Sequence, residues 1–183
     1  LGERCSGAQL AAIAAQVGSD VPFFFAPQHG AIVEGRGEQV TALEPDTIPS
    51  RTWLILWPGT GCATADVYRR YQSRRATLPP VNDVVEDARS GQFRNDLAEP
   101  ALASNTQMRT LYDRCVARFG ADAVLVAGSG SSVAVALPES INGLQRGRCS
   151  ASQLQQYGWD ALVDGLDGAL VAYCRSLRTA PDW

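Results

Sequence analysis

The sequence predicts an α+β fold in two parts, on three observations. Ser6-Gly7-Ala8-Gln9 and Ser104-Asn105-Thr106-Gln107 have the form of capping boxes, each followed by apolar residues at helical spacing. Thr52-Trp53-Leu54-Ile55-Leu56-Trp57 is a continuous apolar run of strand length. Two β-rich runs flanking Gly128-Ser129-Gly130-Ser131 read as a hairpin. With 183 residues, 45% of them hydrophobic, the chain can bury a sizeable core as one domain or two small ones. Glu44–Ser50, two prolines among polar neighbours, marks the boundary and gives parts 1–48 and 49–183.

In chain order, the helix opened by Ser6 carries Leu10, Ile13, Ala14 and Val17 on one apolar face, and Gly18 stops it. Asp20 therefore lies just past a helix end, ahead of Val21-Pro22-Phe23-Phe24-Phe25. After a turn at Pro27–Gly30, Ala31–Val33 and Glu38–Leu43 read as extended segments joined at Gly35-Arg36-Gly37. The strand 52–57 ends at Pro58-Gly59, and Thr64 can cap a helix through Val67, Tyr68 and Tyr71. Arg74, Arg75 and Pro79-Pro80 mark a solvated break. Asn95-Asp96-Leu97 is followed by Pro100, which fits the first turn of a helix. The next helix sets Met108, Leu111, Tyr112, Cys115, Val116 and Phe119 on one core stripe, ended by Gly120. Residues 139–166 read as helical in pieces, with Ser150 or Ser152 as a cap and Leu154, Tyr157, Trp159 and Leu162 as apolar positions. Ala169–Cys174 is the last expected strand.

Composition removes several function classes. A net charge of −3 argues against a nucleic-acid surface, which needs clustered positive charge. No apolar run approaches the roughly 20 residues of a spanning helix, and the first residues have neither the basic start nor the apolar stretch of a signal peptide, so no membrane partner is expected. All 16 basic residues are Arg, so no lysine-dependent phosphate site, Schiff base or P-loop can be completed from this chain. Cys5, Cys62, Cys115, Cys149 and Cys174 form no C-x-x-C pair and read as thiols in a reducing cytoplasm. His29 is the only histidine, so no metal cluster is expected, and in its Pro/Gly loop it reads as solvated. The sequence carries no signal for oligomeric state.

Two places hold candidate chemistry. Asp20 sits between a helix-ending glycine and apolar side chains, which suits either a turn cap or an acid with a fixed, shielded position. Gly128-Ser129-Gly130-Ser131 precedes a strand rather than a helix, so it is neither a dinucleotide fingerprint nor a P-loop. Such a loop can be a plain tight turn, or it can present backbone amides to an anion.

Gly18-Ser19-Asp20-Val21-Pro22-Phe23-Phe24, the Gly35-x-Gly37-Glu38 bend, Pro58-Gly59 with Thr64-Ala65-x-Val67-Tyr68, Asn95-Asp96-Leu97 and Gly128-Ser129-Gly130-Ser131 follow one another in the order of one family. Over about residues 6 to 137 the chain resembles the 4-diphosphocytidyl-2-C-methyl-D-erythritol kinases, GHMP-type small-molecule kinases of non-mevalonate isoprenoid synthesis. The resemblance implies a GHMP-kinase-like fold: an incomplete N-terminal lobe over 1–48 and a C-terminal lobe of helices packed on an antiparallel sheet over 49–183. It implies ATP with Mg²⁺ as cofactors and in-line transfer of the γ-phosphoryl to a substrate hydroxyl. Asp20 then matches the catalytic aspartate, and Gly128, Ser129, Gly130 and Ser131 match a loop beside the phosphate site.

The chain departs from that pattern as well. The family's glycine-rich ATP loop, the lysine partnering the aspartate and the cytosine-holding residues would all precede Leu1, and Ala127 replaces the serine usual before Gly-Ser-Gly. The chain also starts without Met and close to a helix, so a fragment with half an active site, inactive alone, is expected. The alternative is a non-catalytic binding or regulatory protein derived from such a kinase.

Overall fold

The computed structural model describes residues 6–25, 30–35, 39–44, 47, 49, 51–72, 80–138 and 147–175. His29, Arg36 to Glu38, Arg74, Arg75, Pro79 and the expected helical stretch at 139–146 lie outside the described residues. The chain divides into two compact units, one within Leu1–Ser50 and one over Arg51–Ser176.

In the first unit, helix α1 (Gly7–Val17) begins as the capping box predicts. Ser6 Oγ accepts the Gln9 amide at 3.3 Å, and Gln9 Oε1 accepts the Ser6 amide at 2.8 Å. Gly18 ends the helix by donating to the Ala14 carbonyl. The apolar face differs from expectation: Ala14 is buried, whereas Ile13 is 52% and Val17 74% exposed. Among the described residues, the five-residue 3₁₀ turn Val21–Phe25 packs on α1, and it is too small to cover a three-turn face. Strands β1 (Ala31–Glu34) and β2 (Gln39–Ala42) pair antiparallel, Ala31 opposite Ala42 and Glu34 opposite Gln39. Gly35 opens their connection at φ 71, a left-handed conformation that glycine adopts without strain.

The second unit is built on a five-stranded antiparallel sheet. Its strands are β3 (Thr52–Trp57), β4 (Val124–Val126), β5 (Val133–Leu137), β6 (Gly147–Arg148) and β7 (Leu170–Arg175), in the order β4-β5-β3-β7-β6. The apolar run 52–57 is the central strand, and 124–137 form the predicted hairpin. Register explains the core. Val124 faces Val135 and Val135 faces Leu54; Val126 faces Val133, Val133 faces Leu56, and Leu56 faces Val171. Directly paired residues share a sheet face, so these side chains form one apolar surface.

That surface and Met108, Leu111 and Cys115 of α5 (Thr106–Phe119) belong to one buried cluster. Tyr112, Val116 and Phe119 pack at its margin, as the predicted stripe requires. Each fully buried Leu or Val contributes about 1.5–3 kcal/mol, so this layer is the unit's main source of stability. The unit's other α-helices are α2 (Thr64–Gln72), α3 (Val81–Ser90), α4 (Ala98–Ser104), α6 (Ala151–Tyr157) and α7 (Asp160–Val163), of which α2, α4 and α7 add Val67, Leu102 and Leu162 to the cluster. Ser150 caps α6 through a full capping box with Gln153.

The structure departs from expectation at two places. Helix α3 was not expected; it runs between Pro80 and Gly91, whose φ of 77 makes a left-handed stop. The second capping box is displaced: α4 runs through Ser104, whose Oγ donates to the Ala101 carbonyl, and Asn105 caps α5 by accepting the Met108 amide at 3.0 Å. Pro100 stands third in α4, within the first turn as expected, where its missing N–H leaves no intrahelical bond unmade, and Asn95-Asp96-Leu97 precedes the helix. Among the described residues no helix is long and apolar enough to cross a membrane.

Candidate functional site

The two groups of sequence-predicted residues fall in different units, and each is described in its own. Asp20 follows α1 and begins one residue before the 3₁₀ turn. The turn sequence folds tightly, with the Val21 amide donating to the Gly18 carbonyl at 3.2 Å. The shielded setting expected for Asp20 is not found: the residue is exposed, and so is Phe24, while Pro22 is buried. Phe23 and Phe24 pack edge to face on each other at 5.3 Å. Ser19 Oγ lies 3.4 Å from Asp20 Oδ1.

Gly128–Ser131 connects β4 to β5 in the second unit. The Ala127 amide donates to the Ser132 carbonyl and the Gly130 amide to the Ala127 carbonyl, both at 2.9 Å, which closes the turn. Gly130 needs its glycine twice over: φ is 85, and a Cβ there would lie 3.0 Å from Met108 Sδ and 3.1 Å from Cys62 Sγ.

Groups from two distant stretches, 60–64 and Asn95, hold this loop. Ser131 is buried, 5% exposed, and its Oγ donates to the Thr60 carbonyl. The Ser129 and Thr64 hydroxyls share a hydrogen bond of 3.1 Å. Asn95 Nδ2 donates to the Val126 carbonyl at 2.8 Å and to the Gly128 carbonyl at 2.6 Å, while its Oδ1 accepts the Leu97 amide at 2.9 Å. The Thr60 side is fixed in turn: Thr60 Oγ1 donates to Gln107 Oε1 at 2.8 Å, and Asn105 Nδ2 donates to the Gly61 carbonyl at 3.1 Å.

Sequence reasoning placed Thr64 as a helix cap and Asn95 ahead of a helix whose first turn holds Pro100. Thr64 does open α2, but its hydroxyl engages Ser129. Thr60, Asn95 and Asn105 are the residues it missed as parts of the loop's setting. Apart from the Asn95-Asp96-Leu97 motif, their signal in the sequence is a polar side chain beside a Pro-Gly strand end or before a helix, because their partners lie 31 to 71 residues away. Chemically, the assembly sets the Ser129 and Thr64 hydroxyls beside the start of α2, whose first amides have no helical acceptor, an arrangement suited to an anion. Among the described residues no three His, Cys, Asp or Glu side chains gather as a metal site.

No protein-family model matches the chain. It is 39% identical over 133 residues to the 4-diphosphocytidyl-2-C-methyl-D-erythritol kinase of Anaeromyxobacter sp. (strain Fw109-5), covering 69% of this chain and 41% of that protein. It is 36% identical over 135 residues to the kinase of the same name from Bacillus cereus (strain AH187), covering 68% and 44%. The chain thus spans about two fifths of the length of the curated relatives it matches. The crystal structure of a 4-(cytidine 5'-diphospho)-2C-methyl-D-erythritol kinase matches it with a TM-score of 0.60 at 25% identity, over 92% of this chain and 57% of that one.

Proposed function

The chain belongs to the family of 4-diphosphocytidyl-2-C-methyl-D-erythritol kinases, and from that premise we propose that it is part of an ATP-dependent kinase. The enzyme phosphorylates a hydroxyl of 4-diphosphocytidyl-2-C-methyl-D-erythritol, a small-molecule substrate, in the cytoplasm. Residues 1–48 are the remainder of its N-terminal lobe and 49–183 its C-terminal domain. Alone, this chain does not turn over, because it has no lysine to partner a catalytic aspartate or hold phosphate.

One observation carries the reading: the Pro58–Thr64, Asn95–Leu97 and Gly128–Ser131 motifs converge through hydrogen bonds on one loop. A chance assortment of short motifs has no reason to meet in space. The hydroxyls of Ser129 and Thr64 suit the phosphate side of ATP, which when bound with Mg²⁺ supplies the γ-phosphoryl and neutralises its charge. Asp20 accepts the proton of the attacking hydroxyl, and its exposure leaves it open to substrate.

The test compares phosphorylation of the diphosphocytidyl alcohol by the chain alone and by the same chain extended with its upstream coding sequence. Transfer by the extended protein and none by the chain alone is expected. An extended protein that transfers no phosphate overturns the proposal.

A further inference from the structure

We infer that Asn95 is a positioning residue that aims the Gly128–Ser131 loop at the transferring phosphoryl group, an inference that rests on the kinase reading of that loop. Asn95 lies between the stop of α3 at Gly91 and the start of α4 at Ala98, and it is half-buried. A primary amide has two N–H donors and one carbonyl acceptor. Here both kinds are used: Nδ2 serves the Val126 and Gly128 carbonyls, and Oδ1 takes the Leu97 amide.

The geometry has a directional consequence. A carbonyl and the N–H that follows it share a planar trans peptide and point in opposite directions. Drawing the Gly128 carbonyl onto Asn95 therefore turns the Ser129 amide away from Asn95. The same bond holds Gly128 in its left-handed conformation, φ 55, at the exit of β4. Ser129 is the residue whose hydroxyl meets Thr64 at the start of α2. Asn95 thus sets where the Ser129 amide faces, while Thr64 engages the Ser129 hydroxyl.

No other side chain type serves as well. An aspartate has no N–H and would set negative charge beside two carbonyl oxygens, and a glutamine carries its amide one methylene further out. The clamp is itself oriented by its bond to the Leu97 amide, with the Asn95 carbonyl accepting the Ala98 amide at 2.9 Å.

The first test needs no substitution. In the 183-residue chain, both Nδ2 protons of Asn95 should show shifted, exchange-protected NMR resonances; resonances like those of free asparagine overturn the inference. The second compares Asn95→Ala and Asn95→Asp with Arg114→Ala, a control that also removes donation to two carbonyls, those of Leu162 and Asp164, away from the loop. Amide exchange at residues 128–132 should quicken by about tenfold in the Asn95 variants, relative to β3, and not in the control. In the upstream-extended protein, kcat should fall roughly 10- to 100-fold with KM for the diphosphocytidyl alcohol within about twofold, while Arg114→Ala at a similar Tm keeps kcat.

Unchanged loop exchange, or an equal loss of kcat in the control, overturns the role of Asn95. If the unsubstituted extended protein transfers no phosphate, the kinase reading falls, and the NMR and exchange measurements still decide whether Asn95 holds the loop.

Discussion

The Thr64 and Ser129 hydroxyl oxygens lie 3.1 Å apart, joining the first turn of α2 to the β4–β5 loop across 65 residues of sequence. The bond is exposed, so water competes for it, and its coupling should be modest, about 0.5–1 kcal/mol. In a double-mutant cycle of Thr64→Val and Ser129→Ala read by denaturant unfolding, the double variant should lose less than the sum of the singles. Strict additivity means that the two hydroxyls do not interact in solution.

Gly59 and Gly91 both have positive φ, 90 and 77, but their surroundings differ in what can yield. A Cβ on Gly59 would overlap the Asp167 carbonyl oxygen, which is backbone and cannot swing away. A Cβ on Gly91 would overlap Arg51 Nη2, the far end of a flexible side chain. Gly59→Ala should therefore cost roughly 2–4 kcal/mol, backbone strain plus overpacking. Gly91→Ala should cost about 1–2 kcal/mol, the left-handed penalty, once Arg51 moves. Equal losses for the two variants in thermal or denaturant unfolding would contradict this ordering.

Cys115 shows no exposed surface beneath the sheet, and burial pushes its thiol from 9.0 up to about 12. The unfolded chain then gives up this proton at lower pH than the folded one. Stability from the protonated thiol is fully present below pH 9 and is lost as pH rises toward 12, at about 1.4 kcal/mol per unit. The stability of the natural chain minus that of Cys115→Ala should fall across that window and stay flat below it. In the folded chain at neutral pH, alkylation followed by peptide mapping should mark the half-exposed Cys62 and spare Cys115.

Much of the fold is legible because its signals are local. The Ser6 box concerns four consecutive residues and forms, and of the two caps open to the last helices, Ser150 and Ser152, it is Ser150 that caps α6. The 52–57 run and the α5 stripe are periodic patterns whose partners need only be apolar, so Leu54 and Leu111 could be placed in a core before any neighbour was known. Ser104 shows where this stops. Its box has the right form, but α4 continues through it, and whether a helix extends one residue further depends on packing rather than on the four letters. Asn95 is harder still, since its partners at Val126 and Gly128 exist only once the sheet has formed. The apolar face of α1 is the opposite case: its pattern is clear, yet Ile13 and Val17 stay exposed because a pattern states that a face is apolar and not what covers it.

Asp20 allows chemistry to be separated from stability. It is exposed, and the Ser19 hydroxyl approaches it at 3.4 Å, a long exposed bond that an amide oxygen can still accept. Asp20→Asn should therefore change unfolding free energy by less than about 0.5 kcal/mol. In the upstream-extended protein, the same substitution removes the proton acceptor while keeping size and shape, so turnover should fall on the order of 10²–10⁴-fold with little change in substrate affinity. Single-turnover phosphorylation alongside a binding titration separates the two effects. If turnover survives, Asp20 is a turn residue after all; if affinity falls with it, the carboxylate holds substrate rather than taking its proton.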